Sequence, residues 1–217
     1  MKNISTIILF IGATLLLFFP KAFAQEITIG TQTWSTKNAD ITTFQNGDAI
    51  PEAKTADEWK KAGENHQPAW CYYNNDAANG KKLGKLYNFY AVVDSRGFAP
   101  KGWHVPSFDE WKTLNDFLGG ATTDKGGAGD QLRSTSGWIS DSGTPTPGAN
   151  KSGMNVVPTG YRDYDCEFYS QTYLTNFWTS TVEDEEMAWF KLVAIDNSSY
   201  CDTHNKSFGL SVRCIKD

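Results

Sequence analysis

Gly102-Trp103-His104-Val105-Pro106-Ser107-Phe108-Asp109-Glu110-Trp111 is the stretch on which the reading of the fold turns. Ser107 has the short oxygen-bearing side chain of a helix N-cap. Glu110, three residues on, can reach back to the Ser107 amide, so a capping box starts a helix here. Trp111, Leu114 and Leu118 recur at the i, i+3, i+7 spacing of one helical face, and Gly119-Gly120 supply the left-handed exit that ends a helix. A helix of about a dozen residues is marginal alone in water, so its Trp and Leu face must lie on other elements. His104, just before the cap, is read as a local hydrogen-bonding group rather than a catalytic base. Trp103, Trp111 and Trp178 are read as core.

Working outward, residues 26–35 alternate Ile27, Ile29, Thr31 and Thr33 around Gly30, which predicts an opening hairpin. Thr55-Ala56-Asp57-Glu58 is a second capping box, leading Trp59 into a short helix that Gly63 stops. Leu86, Tyr87, Tyr90, Ala91 and Asp94 keep a helical rhythm, so a helix is predicted near 85–94; it and the helix near 107–118 are taken as the two main ones. Residues 122–153 are dominated by Gly, Ser, Thr, Pro, Asn and Asp, a long irregular insert that Leu132, Trp138 and Ile139 are expected to pin to the core. The last third has strand-like composition at 154–158, 177–181, 187–196 and 208–216. In the last of these, Phe208, Leu210, Val212 and Cys214 alternate with Gly209, Ser211 and Arg213, as in a strand with one buried face. Helices in the first half and an antiparallel meander in the second predict an α+β domain.

The first 24 residues read as a cleavable export leader: Lys2, an apolar run over 7–20, and Ala22-Phe23-Ala24 before the cut. Its apolar heart, residues 7–19, is shorter than the roughly 20 residues a membrane-spanning helix needs. Residues 25–217 are then one domain with no membrane-spanning segment, and loss of Lys2 and Lys21 takes the formal charge from −5 to −7. That balance argues against nucleic acid as a partner. Eight Trp, nine Tyr and thirteen Phe supply both core and, where exposed, rings that stack on sugar faces. Four cysteines in an exported chain favour two disulfides, with three connectivities open.

No G-x-S-x-G, H-E-x-x-H or phosphate loop occurs, and the Cys and His spacings do not support zinc. Asp163, Asp165 and Glu167 alternate with Tyr164 and Cys166, a spacing that raises calcium. An EF-hand register from Asp163, however, puts Phe168 where its Gly belongs and Leu174 where its Glu belongs. No catalytic residue, metal or cofactor is therefore expected. The candidate binding face is Tyr161, Arg162, Asp163, Tyr164, Asp165 and Glu167 together with Glu183 and Asp184, where rings can stack and carboxylates accept sugar hydroxyls.

Read in order, Ile29-Gly30-Thr31-Gln32-Thr33-Trp34, Tyr72-Tyr73-Asn74-Asn75-Asp76, Gly84-Lys85-Leu86-Tyr87-Asn88 and Pro100-Lys101-Gly102-Trp103-His104-Val105-Pro106 form one series of motifs. Gly160-Tyr161-Arg162, Phe177-Trp178-Thr179-Ser180-Thr181 and Gly209-Leu210-Ser211-Val212-Arg213-Cys214 complete it. In these the chain resembles the Fibrobacter succinogenes major paralogous domain family of secreted and surface proteins. The resemblance implies a bacterial protein of the periplasm, cell surface or exterior, with a C-type lectin-like or formylglycine-generating-enzyme-like fold built on a twisted antiparallel sheet. The family often has a Cys just before Pro-x-Gly-Trp-His, where this chain has Ala99. Against that pattern, Cys166 and Cys201 are expected to pair with each other, leaving Cys71 and Cys214 as the second pair. Gln67-Pro68-Ala69 lacks the acid of a lectin sugar loop, Trp178-Thr179-Ser180 lacks the Asn-Asp that would follow its Trp, and Cys201 and Cys214 lack a copper motif.

The function expected from these features is a non-enzymatic binding module for a glycan or cell-envelope material. An adhesion domain for a surface protein stands second and a glycan-modifying or oxidative enzyme third.

Overall fold

A computed structural model describes residues 25–120 and 128–217. The leader reading, and the part of the insert at 121–127, lie outside the described residues. The predicted hairpin is present: β1 (Glu26–Ile29) and β2 (Gln32–Ser35) pair antiparallel, turning through Gly30 at φ +60°, a conformation that glycine adopts without steric cost. Helix α1 (Ala56–Glu64) starts at the predicted box, with Glu58 N–H donating to Thr55 Oγ1 at 3.1 Å and Thr55 N–H to Glu58 Oε2 at 3.0 Å.

Where a helix is expected over 85–94, the structure differs. β3 (Trp70–Cys71) pairs with β4 (Leu86–Tyr87), and the one-turn helix α2 (Gly80–Leu83) lies between them in sequence. Only α3 (Phe89–Val92) is helical, capped by the Asn88 side chain. Tyr87 also exchanges both backbone hydrogen bonds with Leu210, so long-range pairing overrides the local helical rhythm. Among the described residues the two longest helices are thus α1 and, after β5 (Trp103–His104), α4 (Phe108–Phe117).

Helix α5 (Ala128–Leu132) forms inside the irregular insert. Leu132 and Trp138 are buried and pin it as expected, whereas Ile139 is exposed. The segment 154–158 contributes a single bridge, Val156 to Arg133, rather than a strand.

The remaining strands are β6 (Tyr161–Arg162), β7 (Phe168–Tyr169), β8 (Leu174–Val182), β9 (Met187–Ala194), β10 (Ser199–Asn205) and β11 (Ile215–Lys216). They build several small antiparallel sheets in place of one twisted sheet. These are β1-β2-β11-β5, β10-β9-β8, and the pairs β3-β4 and β6-β7. The architecture is mixed α/β, and among the described residues no helix is long and apolar enough to cross a membrane.

Residues 208–216 do not form the expected strand with one buried face. Both sets of side chains are buried, and the segment runs through the molecular centre, bridging Gly209 to Arg162, Leu210 to Tyr87 and Ser211 to Phe177. Arg213 is consequently buried and held by four hydrogen bonds: Nε to Asn38 Oδ1 (2.7 Å), Nη1 to the Ser35 (2.9 Å) and Met154 (3.1 Å) carbonyls, and Nη2 to the Asn155 carbonyl (3.3 Å). Burial lowers its pKa to about 9.

Trp103, Trp111 and Trp178 are buried as expected. The Trp111 ring lies 4.5 Å from Trp34 and 5.4 Å from Phe177, and Trp178 Nε1 donates to the Tyr87 carbonyl. His104 sits between two carboxylates, Nε2 at 2.8 Å from Glu110 Oε1 and Nδ1 at 2.8 Å from Asp217 Oδ1. Glu110 thereby both closes the α4 capping box, through Oε2, and fixes the histidine.

Candidate functional site

An open cleft of about 330 Å³ lies where α1, the β6-β7 turn, the β8-β9 turn and the end of β10 meet. Its floor is Trp59, which is buried and donates its indole N–H to the Ser207 carbonyl at 2.9 Å. A Cβ on Gly63 would lie 2.9 Å from Ser207 Cβ, so this glycine allows α1 to seat against the chain after β10. One wall is the stacked pair His66 and Tyr90, with centroids 4.9 Å apart and an interplanar angle of 19°. Glu64, at the end of α1, adds a carboxylate.

The opposite wall comes from two turns. In the first, Asp163 N–H donates to the Glu167 carbonyl and Cys166 N–H to the Asp163 carbonyl, closing residues 163–167 into a loop at the end of the β6-β7 pair. The carboxylates singled out from the sequence build this turn. Asp163 Oδ1 accepts the Tyr164 amide, while Asp165 accepts the Glu167 amide and the Tyr169 hydroxyl (2.6 Å). That hydroxyl holds Asp165 below the usual carboxylate range; burial lifts Asp163 above it. Glu167 is exposed. With these oxygens turned to the chain itself, no three His, Cys, Asp or Glu side chains among the described residues are grouped to hold a metal ion. Tyr164 stands at the cleft rim, 72% exposed.

In the second turn, Glu183 accepts the Trp189 indole N–H, and Asp184 Oδ1 accepts the Glu186 and Met187 amides at 2.8 Å. Lys206 clamps this turn from below by donating to the Asp184 and Glu185 carbonyls at 2.7 and 2.8 Å. Glu185 and Glu186, the next two residues, line the cleft. Their carboxylates make no hydrogen bond or ion pair among the described residues.

Two of the expected contact residues are placed elsewhere. Arg162 is fully buried, its guanidinium sandwiched 4.8 Å from both the Trp59 and Phe168 rings, so it lies beneath the cleft. Tyr161 is half-buried in a stack with Phe208 and His204. Burial takes the His204 pKa down to about 4, leaving a neutral ring against Phe190 at 4.1 Å. The structure therefore brings Tyr164 together with Glu185 and Glu186 and assigns Asp163, Asp165, Glu183 and Asp184 to turn-building. The α1 side of the cleft was missed. A capped helix ending Glu64-Asn65-His66 was readable, but nothing local indicates that it meets residues about 100 positions away.

The four cysteines stand as free thiols in the structure. Cys166 packs in one apolar cluster with Cys71, Cys214 in a second and Cys201 against a third, so neither the Cys166–Cys201 nor the Cys71–Cys214 pair is brought together.

A mixed α/β scaffold that presents an open, ring-lined and carboxylate-lined cleft defines a class by shape alone. The sequence relationship is more specific: residues 27–216 match the Fibrobacter succinogenes major domain, and the chain belongs to that family. No curated protein and no solved structure matches it.

Proposed function

We propose that this chain is an exported, non-enzymatic binding module that holds a glycan or cell-envelope polysaccharide in the cleft between α1 and the two turns. The observation that carries the reading is an exposed ring and unengaged acceptors in one open groove: Tyr164 at the rim, with Glu185 and Glu186 in the neighbouring turn of the same wall. A ring face stacks on the apolar face of a pyranose, and carboxylates accept its hydroxyls. The Trp59 indole N–H is already engaged and the Cys166 thiol faces the Tyr164 carbonyl rather than a base, so the groove lacks a nucleophile–base pair among its described residues. The C-type lectin-like relationship belongs to this proposal and rests on the family resemblance.

The test is a glycan array probed with the purified chain, in calcium and again in chelator. The reading predicts binding that survives chelation and is lost in Tyr164→Ala. Retention of a protein partner with no glycan bound would move the assignment to an adhesion domain.

A further inference from the structure

Beneath the cleft, Cys71 at the end of β3 and Cys166 in the 163–167 turn are buried in one cluster with Trp59 and Leu86. Arg162 bears on both. Its Nε donates to the Cys166 carbonyl at 3.0 Å, and its charge draws down the Cys71 thiol, which burial pushes up to about 12. Among the described residues the guanidinium has no carboxylate partner, and its Nη1 has no oxygen or nitrogen to donate to. A buried cation left unsatisfied in this way is costly and favours a nearby anion. Cys166 itself has φ +69°, a left-handed conformation that residues with a Cβ adopt only when the surrounding structure holds them there. Its side chain forms part of the cleft lining, and its thiol makes only a long contact, 3.7 Å, to the Tyr164 carbonyl.

We propose that Cys71 and Cys166 are a disulfide-forming pair, closed by thiol–disulfide exchange with a disulfide-bearing oxidant that reaches Cys166 through the cleft. In the first step the Cys166 thiolate attacks one sulfur of the oxidant. The oxidant's S–S bond breaks, a mixed disulfide forms on Cys166, and the departing thiolate takes up the proton that Cys166 released. In the second step the Cys71 thiolate, stabilised by Arg162, attacks the Cys166 sulfur. The oxidant's remaining sulfur leaves and takes up the Cys71 proton. Two cysteines are oxidised and one oxidant disulfide is reduced to two thiols. The bridge ties the Tyr164 turn to β3 and fixes one wall of the cleft; it forms whether or not the cleft holds a glycan.

The test incubates the purified full chain with oxidised glutathione, alkylates remaining thiols after denaturation, and maps peptides without reduction. The expected product joins Cys71 to Cys166, with Cys201 and Cys214 alkylated. Chymotryptic cleavage after Tyr164 is then slowed about tenfold or more, because cleavage follows the population of the opened turn. Dithiothreitol reverses the protection. In Arg162→Met the glutathione adduct accumulates on Cys166, whereas Cys166→Ser gives no adduct at Cys71. Recovery of Cys71 and Cys166 both alkylated, or either one joined to Cys201 or Cys214, overturns the proposal.

Discussion

Arg213 and Arg162 are both buried arginines, and they are satisfied very differently. Arg213 makes four hydrogen bonds to groups from two separate parts of the chain, residues 35–38 and 154–155. Arg162 makes two, one of them at 3.3 Å, leaves Nη1 with no oxygen or nitrogen to donate to among the described residues, and lies beside two cysteines under an open cleft. Full satisfaction marks a group that organises the fold. Incomplete satisfaction beneath an open cleft marks the end of the molecule available for function.

The comparison breaks most visibly at Arg213. Arg213→Ala leaves its acceptors buried without a donor, and the expected loss is about 3–5 kcal/mol, read from urea unfolding. Arg213→Lys does not restore it, because one ammonium cannot span the same fork of acceptors. Gly209→Ala strikes the other arginine from behind. Its Cβ would lie 2.9 Å from both Arg162 Cβ and the Trp59 ring, with an expected cost of about 1–3 kcal/mol by the same measurement. Arg162→Met keeps an apolar filling between Trp59 and Phe168 and removes two hydrogen bonds and the charge between the rings. A loss of about 1 kcal/mol is expected, well below that at Arg213.

His104 sharpens the contrast from the surface. Burial opposes its charge, but the hydrogen bonds its ring N–H groups donate to Glu110 and Asp217 raise its pKa above 6.5 overall. A raised folded value means that the stabilisation is fully present below the unfolded value and is lost as pH rises through the folded one. Because the group is substantially exposed, the contribution is about 0.5 kcal/mol after allowance for solvent screening. His104→Asn should therefore lower the urea midpoint at about pH 5.5 and match the parent at about pH 9.

Much of the scaffold was legible because its signals are local. Ser107 with Glu110, and Thr55 with Glu58, form the boxes their spacing announces, and Gly30 turns the hairpin. What failed was non-local. Leu86 and Tyr87 follow a helical rhythm yet pair with β3 and Leu210, and β10 is a strand of polar residues recognisable only once β9 lies beside it. Residues 208–216 alternate as a strand with one wet face, but Arg213 and Ser211 find buried partners that no period-2 pattern reveals. At the site, Tyr164 was readable as an exposed ring. The Asp163, Asp165 and Asp184 carboxylates beside it accept backbone amides of their own turns, and sequence spacing does not separate that role from facing a ligand.

The most direct test of the division between an organising end and a binding end is glycan-array binding by wild type and Tyr164→Ala, with urea unfolding of both. The account predicts that wild type binds in chelator and that Tyr164→Ala binds at least about tenfold more weakly, the scale of one lost stacking contact. Its unfolding midpoint should be unchanged. Equal binding by the two proteins would place the ligand elsewhere and contradict the assignment of the cleft.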